Sequence, residues 1–300
     1  MLRFSGSFVY LYWIFLGLSV LAVLVIVSRQ TDPGYKIAWI ILILIFPILG
    51  WLFYVFCGGN RLSGRVRRKM QGMDRKLTEV LDQDCKAELL AGFGQDAVNQ
   101  SRYLERYAHC PAYTNTYTKY FPLGDDVFPR MLEELRRARR YIFIEYFIIE
   151  HGIFWDSIVE ILKEKHAAGV DVRVIYDDVG CIYKLPMSYA KRFEAETGIP
   201  CCVFNRFRPI LSIRMNNRDH RKLLIVDGHT AFTGGVNLAD EYINVKERFG
   251  HWKDSAILVQ GEAAWSMTVM FLTMWGYIRE VEEDYDRLRP DGQPPEASLD

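Results

Sequence analysis

The sequence predicts an α/β fold, a mainly parallel or mixed sheet flanked by helices, preceded by a two-helix transmembrane hairpin. Three observations predict it. Two charge-free runs, 8–27 and 37–56, each hold 18 apolar residues in 20. From 126 onward, segments of helical periodicity alternate with short, almost wholly apolar segments, the pattern of helices laid on a sheet. One apolar segment closes on Asp177-Asp178, and open α/β sheets hold ligands outside their strands' carboxyl ends.

The two apolar runs come first. About 20 helical residues at 1.5 Å each match the ~30 Å hydrocarbon core of a bilayer. Between them residues 28–36 are polar and carry Pro33-Gly34, a turn signal. Pro47 is expected to kink the second span, and Trp13, Trp39 and Trp51 to sit towards interfaces. Arg61, Arg65, Arg67, Arg68, Lys69, Arg75 and Lys76 follow the second span, against one acid, Asp74. Positive charge on that flank places the part that follows the hairpin, and the N-terminus, on the cytoplasmic side of a cell membrane. Such a cluster also attracts anionic lipid headgroups.

The remainder has an ordinary globular composition, which excludes collagen, low-complexity disorder and a disulfide scaffold. Lys+Arg and Asp+Glu are both 37, so no chain-wide basic field points to nucleic acid. Six cysteines (57, 85, 110, 181, 201, 202) show no C-x-x-C spacing, so reduced thiols and no metal site are expected. No cofactor is expected either.

The domain organisation follows: a hairpin over 1–57, a basic juxtamembrane connector and lead-in segment over 58–110, a catalytic half-domain over 111–288, and a tail over 289–300. Helical stretches are expected near 74–90 and 96–107. Helices are predicted over 126–140, 153–168 and 263–285, and strands over 141–149, 170–176, 201–205, 222–226, 231–233 and 256–260.

One stretch, 219–237, carries the chemistry. His220 and Lys222 are two apart where a strand begins, so alternation points both to one face. An imidazole can attack phosphorus while an ammonium offsets charge on the equatorial oxygens. Gly234-Gly235 would let backbone approach a ligand, and Asn237 could donate its amide to the same anion. Asp227 is five residues along the strand from Lys222, on the other face from His220. Asp254, at a later strand start, could hold the imidazole from its other nitrogen while Asp227 braces the loop, and the choice between them stays open. Glu145, an acid inside an apolar strand, needs a partner and is expected to give structural support. The five other histidines have no comparable setting.

His220-x-Lys222, then Asp227, Gly234-Gly235 and Asn237, resemble the signature of the phospholipase D superfamily. Within it the chain is most similar to bacterial cardiolipin synthases, through the two-span start, 141–147 with Glu145, 169–178, 237–242 and Trp252-Lys253-Asp254. The resemblance implies a membrane-anchored phosphatidyltransferase that joins two phosphatidylglycerols into cardiolipin, releases glycerol and uses no metal. It implies His220 as nucleophile, forming a phosphatidyl-histidine, and Lys222 as phosphate clamp. A phospholipase D-type hydrolase, or an inert membrane-bound half, is the alternative. The family's enzymes carry two such motifs and this chain carries one. The second is expected from a missing C-terminal half or from a homodimer partner.

Overall fold

The computed structural model describes residues 6–30, 33–58, 64–81, 87–207 and 217–290. Arg61, the side chain of Arg65, Cys85 and the tail from 291 lie outside the described residues. The chain divides into two compact units, Met1–Ser63 with Arg208–Asn216, and Gly64–Phe207 with Asn217–Asp300.

In the first unit the helices are α1 (Gly6–Ser28), α2 (Pro33–Ile45) and α3 (Pro47–Cys57). The second apolar run is therefore two helices, not the single kinked helix expected. Pro47 has no amide hydrogen to continue the ladder, and the chain re-forms as a new helix with proline in its first turn. The Ser19 hydroxyl donates to the Pro47 carbonyl at 3.1 Å, which pins the break against α1. Ala22, Ile26 and Ile43 are its buried centre. Among the described residues, no helix is long and apolar enough to cross a membrane.

The second unit opens with α4 (Gly64–Leu81), a 3-10 turn (Ala87–Phe93) and α5 (Gln95–Ala108). Then follow β1 (Thr116–Phe121), α6 (Gly124–Arg137), β2 (Tyr141–Tyr146), α7 (Ile153–Ala167), β3 (Asp171–Asp177), the single turn α8 (Asp178–Cys181), α9 (Tyr189–Thr197) and β4 (Cys201–Phe204). The unit closes with β5 (Lys222–Val226), β6 (Thr230–Gly234), β7 (Ala256–Gly261), α10 (Ala263–Arg279) and α11 (Tyr285–Leu288). The seven strands form one mixed sheet in the order β1-β7-β6-β5-β2-β3-β4. Only β2, β3 and β4 run parallel; the other pairings are antiparallel.

Alternation divides the sheet into two apolar faces. Ile142, Ile144, Tyr146, Leu224 and Val226 pack with α6, α7 and α9. Tyr141, Phe143, Leu223 and Ile225 pack beneath α10 with Leu81 of α4. Four departures from the sequence reading have local causes. β1 is an exposed edge strand whose polar pattern, Thr-Tyr-Thr-Lys-Tyr-Phe, gives no apolar signal. α9 was hidden by its short, charged sequence. β2 ends at Tyr146, so Phe147 to Ile149 leave the ladder. α10 ends at Arg279 rather than 285, because the acids that follow oppose a helix C-terminus and Glu280 turns left-handed, φ 58°.

The basic flank is also partly spoken for. Lys69 pairs with Glu280 at 2.9 Å, Lys76 with Glu282 at 3.4 Å, and Arg75 with Glu79 at 2.8 Å. Those charges dock α4 on α10 or stabilise α4 itself.

Candidate active site

β5 and β7 run opposite to β1, β2, β3, β4 and β6, so one edge of the sheet gathers the carboxyl ends of five strands and the amino ends of two. His220 lies there, exposed, two residues before Lys222 opens β5. The Lys222 side chain is 4% exposed. Its Nζ donates to the His220 carbonyl at 2.7 Å and lies 3.1 Å from His220 Nδ1. Phe147, released from β2, packs its ring 4.6 Å from the imidazole, and Lys222 Nζ sits 5.4 Å from the same ring centre. Burial pushes the Lys222 ammonium down to about 8, with the Asp254 and Asp219 carboxylates acting against it.

The segment carrying His220 is clamped on both sides. Asp219 accepts from Arg221 Nε at 2.9 Å, and Arg221 Nη2 reaches Glu145 at 2.6 Å on the face opposite Lys222. Glu145 is fully buried, which pushes its carboxyl well above the usual range despite Arg221. For Asp219, burial acts upward, but the Glu145 carboxyl and Arg221 together hold it below its ordinary value. Asp177 takes the other side: it accepts from the Asp219 amide at 3.1 Å and from Arg218 at 3.4 Å, while capping α8 through Val179 and Gly180. Asp177, Asp219, Arg221 and Phe147 were not singled out by sequence reasoning as parts of one cluster. Their signal was adjacency: three of them flank His220 or close a neighbouring strand.

The structure distributes the other expected site residues differently. Asp227 lies at the far end of β5, where its carboxylate accepts from the amides of Arg139, Arg140 and Tyr141 at 2.8, 2.8 and 2.9 Å. It is not brought to His220. Asp254 is brought to the same edge, beside Gly235, with its field on Lys222. Among the described residues, the His220 ring bonds Lys222 and not Asp254. Asn237 is buried; its carbonyl accepts from the Ile148 amide at 3.0 Å and its amide donates to the Tyr242 hydroxyl at 2.8 Å. It ties two loops together instead of offering an open amide. Gly234 and Gly235 sit where packing leaves no room for a side chain. A Cβ at Gly234 would lie 2.3 Å from the Ser255 carbonyl, and one at Gly235 1.8 Å from Asp254 Oδ1. The Gly235 amide already donates to Ser255 at 2.9 Å. Among the described residues, no group of three or more His, Cys, Asp or Glu could hold a metal ion.

An exposed imidazole against a buried lysine, at the sheet edge, is equipped to receive an anionic phosphorus centre. Comparison with known proteins agrees in kind. The family described as "Cardiolipin synthase, PLD-like domain" matches residues 131–275, and "Phospholipase_D-nuclease N-terminal" matches 17–59. An uncharacterized protein of Streptococcus mutans is 41% identical over 269 residues, covering 88% of this chain and 57% of the relative. A cardiolipin synthase of Geobacillus kaustophilus is 31% identical over 280 residues, covering 91% of this chain and 55% of the relative. A phosphatidylserine synthase structure from Haemophilus influenzae has 14% identity and a TM-score of 0.43, over 57% of this chain and 41% of that one. The chain thus spans little more than half the length of the curated relatives it matches. With the His220-x-Lys222 edge inside it, the segment 131–275 belongs to the phospholipase D-like family of cardiolipin synthase domains.

Proposed function

We propose that the chain contributes to a membrane-anchored phosphatidyltransferase that makes cardiolipin from two phosphatidylglycerols and releases glycerol. The observation that carries the reading is the 3.1 Å approach of Lys222 Nζ to an exposed His220 ring at the carboxyl edge of the sheet. In this reading a nitrogen of His220 attacks the phosphorus, the glycerol oxygen leaves with a proton, and a phosphatidyl-histidine remains. The primary hydroxyl of a second phosphatidylglycerol then attacks that phosphorus and frees His220. Lys222 donates to the phosphate oxygens in both steps. An ammonium that donates to Nδ1 leaves the ring proton on Nε2, so an arriving phosphate that draws the ammonium away also releases Nδ1. Asp254 tunes Lys222, and Glu145 supports the segment through Arg221.

One motif lacks the group that protonates the leaving oxygen, and general acids typically contribute 10²–10⁴-fold. A second motif, from a C-terminal half or a second copy, fills that role. The two apolar runs form a membrane hairpin, supported by their lack of charge and by the matched 17–59 segment, with the second unit in the cytoplasm. The domain division of 1–57, 58–110, 111–288 and a tail belongs to the same reading. Phosphatidylglycerol and anionic membrane lipids are its partners, and no nucleic acid is.

The test is turnover of labelled phosphatidylglycerol in vesicles, with and without the second motif supplied. Cardiolipin and glycerol are expected, and His220→Asn is expected to abolish both while membrane insertion is unchanged. Phosphatidic acid as the sole product would replace transfer with hydrolysis. Unaltered turnover in His220→Asn would remove His220 as nucleophile.

A further inference from the structure

A cavity of about 350 Å³ opens at the carboxyl ends of β3 and β4, and the chemistry described so far does not use it. Most of its lining is apolar, including Ile182, Leu185, Met187, Val203 and Phe207; its charged groups are Arg206 and Asp178, whose carboxylate accepts from the Phe207 amide at 2.6 Å. Its distance from the phosphorus chemistry is one residue. α8 abuts the backbone of Phe147, since a Cβ on Gly180 would lie 2.0 Å from the Phe147 carbonyl, and Cys181 Sγ is 3.5 Å from it. The Phe147 ring is the one against His220. On the other side Arg218 donates to the Asn205 carbonyl at 2.8 Å, joining the exit of β4 to the His220 segment.

The loop that roofs the cavity exposes apolar groups although it is anchored. Tyr183 is 97% exposed and Met187 94%, with Ile182 and Phe207 both at 39%. Between the first two, Lys184 is held by Glu150 and by Glu241, the latter at 3.0 Å, so loops after β2 and β6 fix this one. A fixed loop that keeps a tyrosine and a methionine in water bears a cost that contact with an apolar phase would remove.

We infer that this cavity and its rim receive an acyl chain of the phospholipid whose phosphate meets His220, with Tyr183 and Met187 resting in the apolar layer from which that lipid is drawn. The occupant follows from what borders the cavity. An apolar chamber with a guanidinium at hand, beside an ammonium–imidazole pair, complements a molecule that is anionic at one end and hydrocarbon at the other. Arg206 is the cation of that lining, and in this inference it meets the lipid phosphate or headgroup. The inference rests on the phospholipid reading of the site and adds where the hydrocarbon goes.

The experiment uses the full chain and phosphatidylglycerol carrying a diazirine midway along one acyl chain, presented in vesicles, with labelled peptides mapped by mass spectrometry. Labelling is expected within 182–207 in addition to any within the apolar runs. It should fall at least tenfold in Ile182→Glu and in Met187→Glu; Met187 is so exposed that its exchange leaves the fold intact. Dioctanoyl-phosphatidylglycerol should compete, and glycerophosphoglycerol should not. Labelling confined to 6–57, or unchanged in both variants, overturns the inference; equal competition by decanoate overturns the phospholipid as occupant. Labelling is read without turnover, so the two readings separate. A labelled cavity with no phosphatidyl transfer leaves the cavity standing and removes the transferase, and the reverse result removes only the cavity.

Discussion

Lys222 shows how much a single side chain can carry. Burial moves its ammonium from 10.5 to about 8, and the Asp254 carboxylate opposes that shift. The folded form therefore sheds its proton at a pH where the unfolded chain still binds one. Between about 8 and 10.5, this group makes stability rise with pH. Phosphate binding requires the ammonium, so transfer activity should instead fall as pH rises through about 8. Opposite slopes for stability and activity over one interval identify Lys222 as the titrating group. Asp254→Asn removes a carboxylate that favours the charged form, so its alkaline limb should move to lower pH with the fold unchanged. A pH–rate profile superimposable on wild type would return Asp254 to a purely structural part against Gly235. His220 and Lys222 were legible in the sequence because strand alternation is a strict period of two. The positions of Asp254 and Asn237 were not legible, because hydrogen-bond partners such as Tyr242 come from register and loop closure that no local pattern encodes.

At the scale of elements, Asp227 illustrates why a motif position need not be a site position. It follows β5 with a left-handed backbone, φ 52°, and its carboxylate gathers three consecutive amides where α6 hands over to β2. Those amides would otherwise be unpaired, because the α6 ladder has ended and β2 has just begun. Hydrogen bonds to a charged acceptor are worth about 1.5–3 kcal/mol each, and removing the acceptor leaves donors unsatisfied. Asp227→Ala should therefore lower stability by a few kcal/mol, about 2–4, read from chemical denaturation. The alkaline limb of the pH–rate profile should stay where it is, since Asp227 is at the other end of the strand. A stable Asp227→Ala protein with a displaced limb would place that carboxylate at the reacting centre after all. The sequence showed the strand and the acid that follows it, but not which amides the acid would meet, because those lie some 87 residues earlier in the chain.

The whole molecule is a division of labour between an apolar first unit and a second unit with its own cores on both faces of the sheet. The α/β class was readable because buried strands and amphipathic helices leave different periods in the sequence. The edge strand β1 was not readable, since solvent on one side removes that contrast. The division predicts the behaviour of residues 64–300 made alone. All the buried residues of the two sheet-flanking cores lie within that stretch, so it should unfold as one cooperative transition. Without the charge-free runs it should lose most of its partitioning into anionic vesicles in sedimentation. What partitioning remains should come from the rim around Tyr183 and Met187, and Met187→Glu should reduce it further. Full-strength partitioning of 64–300 would mean that the first unit is not the anchor. Failure of 64–300 to unfold cooperatively would mean that the sheet depends on the first unit for its stability.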